Sequence, residues 1–218
     1  MRLIIVGPGR AGLSLGLALR HSHHLVGVVA RSPQAAESAG RLLGTVAIGF
    51  DTELPPADLI VVAVRDDAII SVAERLAAGA AAVAGAIHLS GLTPVAALEP
   101  LARAGLDTGS LHPLQTFPTP EAGMTRIRGA WFAVTAAEPL RSRLRGLTES
   151  IGGRPFDLED GARALYHAAA AAAANFPIGS LALAEDLFAA AGVPFAAARP
   201  LVEAVVANAF DLGPRQAL

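Results

Sequence analysis

The segment "LIIVGPGRAG", residues 3–12, is the strongest indication of the fold, because an apolar run leads directly into three glycines spaced G-x-G-x-x-G. The first glycine permits a tight turn, the second lets a backbone approach a pyrophosphate, and the third lets a helix pack closely on the strand. The phosphates would then lie at the helix N-terminus. The pattern predicts that a dinucleotide contacts Gly7, Pro8, Gly9, Arg10, Ala11 and Gly12. A purely structural glycine turn is the alternative.

The second strand ends at "VVARSPQ", residues 28–34, where a carboxylate is expected if the ribose hydroxyls of NAD are to be held. Arg31 stands there instead, 19 residues beyond Gly12, and Ser32 follows it. A guanidinium can grip a 2′-phosphate with paired charge-assisted hydrogen bonds, and the serine hydroxyl can add another. The sequence therefore predicts NADP(H) in preference to NAD(H). An arginine stacked on the adenine, tolerating either cofactor, is the alternative.

Strand and helix patterns alternate from the N-terminus to about residue 156. Near-continuous apolar runs such as "ADLIVVAV" are typical of a parallel sheet that is covered on both faces. The pattern predicts an α/β fold, a Rossmann-type doubly wound parallel sheet, with its strands near residues 2–7, 25–30, 45–48, 58–64, 81–89, 108–112 and 130–135. Ser32 as a capping residue, Pro33 after it and Gly44 at the far end predict one of the intervening helices.

The remaining residues, 157–218, contain no strand signal and predict a smaller all-helical domain with helices at 159–191 and 195–212. Residues 164–184 are long enough to cross a bilayer. They are mostly alanine, however, and His167, Asn175, Pro177 and Ser180 interrupt them. A buried core helix is therefore the prediction, and a membrane span is not.

Composition excludes several classes of protein. The formal net charge of −2 argues against nucleic-acid binding, and the absence of cysteine excludes disulfides, thiolate metal sites and a cysteine nucleophile. The apolar run before Gly7 is too short for a signal peptide, so a cytoplasmic protein is expected. The chain contains 48 alanines and no lysine. His21, His23 and His24 are close in sequence but are predicted to be solvated, with no metal site.

Further candidate site residues follow the strands, because ligands bind at the carboxyl edge of such sheets. Val64 and Arg65 are predicted to line the cofactor, whereas Asp66 and Asp67 are predicted to cap the next helix. Ser90 and His112 are predicted to point toward the reacting end of the cofactor. His88, inside an apolar run, is predicted to be structural.

The long helix carries two polar residues on an alanine surface. His167 and Asn175 are eight residues apart, about 12 Å along the axis and nearly on one face. Buried polar groups need partners, which a crossing helix or a substrate would supply. Both residues are therefore candidate substrate contacts.

Taken together, the glycine turn, "VARS", "DLIVVAVRDDAI", "SLHPLQTF" and "ALYHAAAAAAANF" resemble a known group of proteins. These are the Rossmann-like oxidoreductases with a helical C-terminal domain of unknown function. They lie within the superfamily of 6-phosphogluconate and β-hydroxyacid dehydrogenases, with ketopantoate reductase, pyrroline-5-carboxylate reductase and prephenate dehydrogenase among the wider relatives. The resemblance implies NADP-dependent hydride transfer to or from a small carbonyl, imine or hydroxy-acid substrate.

Two departures from these relatives matter. Many of them use a lysine four residues before a helical asparagine as the proton donor, and here Ala171 stands in that position before Asn175. An imidazole, of His112 or of His167, is then the candidate for proton transfer near neutral pH. The relatives also continue beyond "NAFDLGPRQAL", which implies a copy shortened at its C-terminus or an end missing from the chain as given.

These observations predict an oxidoreductase in which His112, His167, Asn175 and Ser90 serve the substrate. A non-catalytic NADP-binding sensor or regulatory protein is the alternative, because the lysine is absent. The helical domain has about 60 residues, few for an independent core, and it is apolar around most of its long helix. A homodimer formed through this domain is therefore expected.

Overall fold

A computed structural model describes residues 1–50 and 52–217. It contains an eight-stranded sheet with the strand order β3-β2-β1-β4-β5-β6-β7-β8. The strands are β1 (Arg2–Val6), β2 (His24–Val29), β3 (Ala47–Ile48), β4 (Leu59–Val62), β5 (Gly85–His88), β6 (Asp107–Pro113), β7 (Trp131–Ala136) and β8 (Arg154–Asp157). The order reverses between β1 and β4, which confirms the predicted doubly wound arrangement.

The helices are α1 (Arg10–Leu19), α2 (Pro33–Leu43), α3 (Ile69–Ala77), α4 (Glu99–Arg103), α5 (Pro120–Ile127), α6 (Leu140–Ser150), α7 (Arg163–Ala190) and α8 (Ala198–Leu212). The signals for α2 act as predicted. The Ser32 hydroxyl accepts the Ala35 N–H, at 3.3 Å, and Gly44 ends the helix with φ +71°.

Side chains alternate between two cores because successive strand residues face opposite sides of the sheet. Leu3 and Ile5 pack in one core with Phe132, while Ile4 and Val6 pack in the other. The sheet is therefore covered on both faces, as its apolar strands predict.

Three local predictions differ from the structure. β7 runs antiparallel to β6, and β8 adds a strand to the edge of the sheet that the half-exposed "RPFD" did not reveal. The proline-rich stretch after His112 contains α5, which begins at Pro120 with Thr119 as its cap. Gly123 lets α5 lie against α1, because a Cβ at this position would meet Ser14 and Phe117.

The chain divides into two compact units, residues 1–167 and 168–218. The first unit extends beyond the predicted boundary at residue 156, because β8 and the first turn of α7 are part of it. The second unit consists of the rest of α7, a turn at Gly192 and α8.

The prediction that the long helix is buried is wrong for the single chain. Residues 168–190 are exposed or half-buried, including Phe176 and Leu183. One stretch, Asp160–Ala190, is long and apolar enough to cross a membrane by length and composition alone. The physical reason for the exposure is that the unit contains only one other long helix, α8, to cover it.

Candidate functional site

The glycine turn after β1 has the backbone that its sequence predicts. Gly7 has φ +90°, and a Cβ there would lie 2.7 Å from the Ala63 carbonyl oxygen. A Cβ on Gly12 would collide with the Gly7 carbonyl, whereas a Cβ on Gly9 would meet no atom of the described residues within 4 Å, its chain neighbours aside. Gly7 and Gly12 therefore serve the turn and the packing of α1, and Gly9 leaves the helix N-terminus open to a ligand.

A cleft of about 630 Å³ opens over this turn. Most of the residues predicted to bind the cofactor line it, namely Gly7, Pro8, Gly9, Arg10, Ala11, Arg31, Val64 and Arg65. Gly12 and Ser32 do not line it, because Gly12 is packed under the turn and Ser32 caps α2. Apolar side chains form much of the remaining wall, namely Ala30, Ala35, Phe50, Ala63, Ala68, Val72 and Phe117.

Two exposed arginines on the rim of the cleft differ in their contacts. Arg31 makes no ion pair with any of the described residues. Arg65 pairs with Asp67, at 3.0 Å between Nη2 and Oδ2.

The prediction that Asp66 and Asp67 cap the next helix is wrong, because no side chain caps the short 3₁₀ helix at Asp66–Ala68 or α3 after it. Arg65 engages Asp67, and the Asp66 carboxylate accepts the Ser90 hydroxyl instead.

The carboxyl edge of the sheet arranges the candidate residues in a row. Arg31 follows β2, Gly7 follows β1, Val64 follows β4, Ser90 follows β5 and His112 lies near the end of β6. Adjacent strands are about 4.8 Å apart, so the row from Arg31 to His112 extends over roughly 19 Å. The cleft occupies the Arg31 half of this row, at the point where the strand order reverses.

His112 is half-buried and forms a pair with Tyr166, which lies on the first turn of α7. The distance from His112 Nδ1 to the Tyr166 hydroxyl oxygen is 2.7 Å, and the rings meet edge to face at 5.5 Å. The imidazole lies against Gly91, where a Cβ would come within 2.8 Å of Cε1 and 2.9 Å of Nε2. His112 Nε2 has no hydrogen-bond partner among the described residues.

Burial and nearby charges set the protonation of this pair. Burial, followed by the charges of His167 and Arg163, lowers the pKa of His112 to about 4, with Asp66 acting in the opposite direction. Burial also raises the pKa of the Tyr166 hydroxyl to about 12, opposed by Arg163. At neutral pH the imidazole is therefore neutral and the phenol is protonated.

Ser90 lies in the predicted region, but its hydroxyl is fully engaged. Ser90 Oγ donates to Asp66 Oδ2 at 2.8 Å and accepts the backbone N–H groups of Leu92 and Thr93. A hydroxyl has one donor and two acceptor positions, so these contacts use all of them. The structure thus gives Ser90 a role in shaping the loop after β5, which places Gly91 beside His112.

Arg163 joins that loop to α7. Its side chain is 3% exposed; Nη1 donates to the Ser90 carbonyl oxygen at 3.1 Å, and Nε donates to Asp160 Oδ1 at 2.6 Å. Nη2 is buried without a partner among the described residues. A buried charge is retained only where it is paired and hydrogen-bonded, so Arg163 fixes the start of α7, and with it Tyr166, relative to the loop.

The other predicted residues lie in varied surroundings. His88 is fully buried, as predicted, and burial followed by the charge of Arg163 lowers its pKa to about 4. His167 is exposed at the end of the first unit. Asn175 is exposed on the second unit, so its contact with a substrate stays a prediction.

The three neighbouring histidines do not behave as one group. His23 is half-buried, with Nε2 2.8 Å from the Ser150 hydroxyl and Nδ1 3.2 Å from the N-terminal ammonium. The prediction that all three are solvated is therefore wrong for His23. The described part of the chain contains no group of three metal-ligating side chains that could hold an ion.

Gly91, Arg163 and Phe117 contribute to the site without a role predicted from the sequence, and the pair that Tyr166 forms with His112 is not predicted either. Gly91 directly follows Ser90, and Tyr166 directly precedes His167, the residues that the sequence analysis names instead. The available signal for Tyr166 was that it is the only tyrosine and begins an alanine-rich helix. Nothing in the sequence reveals that Arg163 is buried, since its partners are 3 and 73 positions away.

Comparisons with known proteins agree with this architecture. No curated protein matches the sequence. A candidate NADP oxidoreductase from Bacteroides fragilis is 22% identical with a TM-score of 0.82, over 100% of this chain and 83% of that one. An imine reductase from Streptomyces aurantiacus is 19% identical with a TM-score of 0.75, over 100% and 77%. A 1-pyrroline-5-carboxylate reductase from Streptococcus pyogenes is 18% identical with a TM-score of 0.71, over 97% and 79%.

Two family models together match most of the chain, and the boundary between them lies before β7 and not at the boundary between the two units. The model of the Rossmann-like domain matches residues 1–113, which is more than half of the chain. The model of a domain of unknown function, DUF2520, matches residues 130–218. The chain therefore belongs to the Rossmann-like family and carries a DUF2520 helical domain at its C-terminal end.

Proposed function

We propose that the protein is an NADP(H)-dependent oxidoreductase that transfers a hydride to or from a small carbonyl, imine or hydroxy-acid metabolite. The observation that carries the proposal is the row along the carboxyl edge of the sheet. In this row the glycine turn and the Arg31 guanidinium lie at one end, and the neutral imidazole of His112 lies at the other. The names of the structural neighbours, two of them reductases of C=N compounds, support the same class of reaction.

The residues of the cleft fit a dinucleotide. The N-terminus of α1 offers free N–H groups to a pyrophosphate, and Gly9 leaves room for close approach. Ala35, Ala68 and Val72 give one part of the cleft an apolar wall suited to a flat adenine ring. When bound, a nicotinamide dinucleotide supplies the hydride, and the protein supplies position and a proton.

NADP(H) is the preferred cofactor in this proposal because Arg31 is free to receive a 2′-phosphate. It lines the cleft, is exposed, and has no competing carboxylate among the described residues. Arg65 is a weaker candidate for this task, since Asp67 already engages its guanidinium.

His112 is the proposed group for proton transfer to the reacting oxygen or nitrogen. It is half-buried next to the end of β6, and its Nε2 is unengaged within the described chain. The chain contains no lysine, so an amine cannot act as the proton donor and the imidazole is the candidate for that role.

A non-catalytic NADP sensor is the second candidate, and one observation favours it. The imidazole is neutral at pH 7, because its pKa is near 4, and a neutral imidazole is a weaker proton donor than an imidazolium. The two candidates share the cofactor site and differ only in turnover.

The remaining parts of the proposal concern location and assembly. We propose a cytoplasmic protein that forms a homodimer through its second unit. Exposed apolar side chains of that unit support the dimer, namely Phe176, Leu183, Leu187, Leu201, Val205 and Phe210.

Cofactor titration of the wild-type protein and of Arg31→Asp tests the binding site. Loss of a charge-assisted pair is worth about 1.5–3 kcal/mol, so the affinity for NADPH should fall at least roughly tenfold while that for NADH changes little. Arg143→Asp, at an exposed position of α6 at the other end of the sheet, makes the same change of charge and should leave both affinities unaltered. Equal weakening of both cofactors by Arg31→Asp would remove Arg31 from the site.

NADPH oxidation with a panel of α-keto acids and cyclic imines then separates the two candidates. Turnover at an enzyme-like rate with any member establishes the oxidoreductase. Tight NADPH binding without turnover on the whole panel, at any pH between 5 and 9, would favour the sensor.

A further inference from the structure

The hydrogen bond between His112 and Tyr166 bears on which nitrogen of the imidazole carries a proton. A neutral imidazole carries a single proton, on Nδ1 or on Nε2, and the hydrogen bond at one nitrogen decides which. The 2.7 Å contact joins Nδ1 to a hydroxyl that could either donate or accept. Only one of these arrangements leaves a proton on Nε2, the nitrogen without a partner among the described residues.

The chemistry of the two groups favours donation by the phenol. A phenol O–H is a far stronger acid than an imidazole N–H, and an imidazole nitrogen is a better acceptor than a phenol oxygen. Tyr166 has no other hydrogen-bond acceptor among the described residues, so its proton has no competing destination. A nearby guanidinium, that of Arg163, also makes the phenol oxygen a poorer acceptor and its proton more easily donated.

Geometry around the pair holds this arrangement in place. Tyr166 lies three residues after Arg163, so the two side chains are neighbours on one face of α7. Arg163 on that face donates to the Ser90 carbonyl oxygen, and the imidazole of His112 packs against the next residue, Gly91. Phe156 also contacts the Tyr166 ring edge to face, at 6.0 Å between centroids.

We propose that Tyr166 is the positioning residue that holds His112 in the tautomer protonated at Nε2, and that Arg163 fixes Tyr166 for this purpose. The inference deepens the proposed function and rests on it for its catalytic meaning. It also explains how a neutral imidazole can serve as a donor, since the proton that it gives is the one on Nε2.

The proton balance of the step in the direction of reduction follows from this arrangement. A bound nicotinamide would supply the hydride for the substrate carbon, and the substrate oxygen or nitrogen would take the proton from His112 Nε2. At the same time Nδ1 takes the proton of the Tyr166 hydroxyl, so the imidazole stays neutral and changes tautomer. The charge of Arg163 favours the phenolate that remains, and a proton from solvent restores the phenol.

The charged and titratable groups around the imidazole are consistent with a neutral ring. Tyr166, His167 and Arg163 act on it from α7, and Asp66 acts from the segment after β4. Burial, followed by His167 and Arg163, outweighs the single carboxylate of Asp66, so the imidazolium form is disfavoured at neutral pH.

Nitrogen-15 NMR of histidine-labelled protein tests the inference without any substrate. Protonated and unprotonated ring nitrogens have well-separated shifts, and His112→Gln identifies the signals of His112. We expect one tautomer in the wild-type protein, with the proton on Nε2. A proton found on Nδ1 would overturn the proposal, whether or not the protein proves to be an enzyme.

The Tyr166→Phe variant provides the second arm, because it removes the hydroxyl and keeps the ring against Phe156. A hydrogen bond to neutral imidazole stabilises that form, so its loss should mix the two tautomers and raise the pKa of His112. Ser150→Ala is the matched control, since it removes a hydroxyl that contacts another imidazole, His23, and should alter only the His23 signals. Unchanged His112 signals in Tyr166→Phe would contradict the proposal.

Discussion

Gly91 is the position at which a single methyl group should disturb the site most selectively. A Cβ there would lie 2.8 Å from His112 Cε1, 2.9 Å from Nε2 and 3.0 Å from Nδ1. Carbon and nitrogen atoms in ordinary contact are about 3.5 Å apart or more, so the imidazole of Gly91→Ala must move by roughly half an ångström or more. The Gly91 backbone is not in the left-handed region, so the disturbance comes from the contact and not from strain.

The size of the effect follows from the contacts that the ring would lose. Overpacking a well-packed position costs about 1–3 kcal/mol, and the 2.7 Å hydrogen bond to Tyr166 contributes about 0.5–1.5 kcal/mol when intact. For a chain of this length each kcal/mol lowers the melting temperature by about 2–4 °C. A displaced catalytic group can cost roughly a hundredfold in turnover, so activity should fall much more than stability.

Thermal unfolding and NADPH turnover of Gly91→Ala, measured side by side, check this reasoning. Gly146→Ala is the control, because Gly146 is an exposed helical residue with no atom near its Cβ position. That variant should be unchanged or more stable by up to about 1 kcal/mol. Wild-type stability together with wild-type His112 NMR signals in Gly91→Ala would refute the packing of the imidazole on Gly91.

Three further predictions concern proton transfer, acid stability and assembly. His112→Ala should lower turnover more than about a hundredfold in steady-state assays, whereas the exposed His167 should tolerate the same change; the reverse pattern would reassign the proton donor. His88 and His112 have pKa values near 4 in the folded protein against 6.5 unfolded, so the unfolded chain binds more protons between these pH values. Stability should therefore be complete above about pH 6.5 and fall toward pH 4, by at most about 1.4 kcal/mol per pH unit for each histidine; urea melts that do not change over this range would contradict their burial. Light scattering should give the mass of a dimer at micromolar concentration, and Phe210→Glu, on α8, should shift it toward the monomer; a monomer mass for the wild-type chain would exclude the dimer.

Much of the cleft in which we propose that the cofactor binds could be predicted from the sequence, because its signals are local. Gly7, Gly9 and Gly12 act through backbone conformation and close packing within one strand–turn–helix unit. Arg31 is placed by its distance along the chain from that unit. Most of the residues predicted to bind the cofactor line one cleft for this reason.

The proposed substrate half was only partly predictable, since its contacts join distant parts of the chain. The roles of Ser90, Asp66 and Asp67 were assigned from their neighbours in sequence. The structure instead uses them for a long-range hydrogen bond and an exposed ion pair. The end of a predicted strand gives the position of a residue at the sheet edge. The hydrogen-bond partners of its side chain are seen only in the folded chain.

Local sequence signals predict the alternation of strands and helices, the two-sided sheet and the glycine turn, because apolar periodicity and backbone freedom are properties of short segments. Tertiary contacts set the antiparallel direction of β7, the place of β8 at the sheet edge, and the approach of Tyr166 to His112 beside a buried Arg163. Burial explains the difference, because desolvation of the imidazole and the direction of its hydrogen bond depend on residues that are distant in the chain: His112 and Tyr166 are 54 positions apart, and Ser90 and Arg163 are 73 apart.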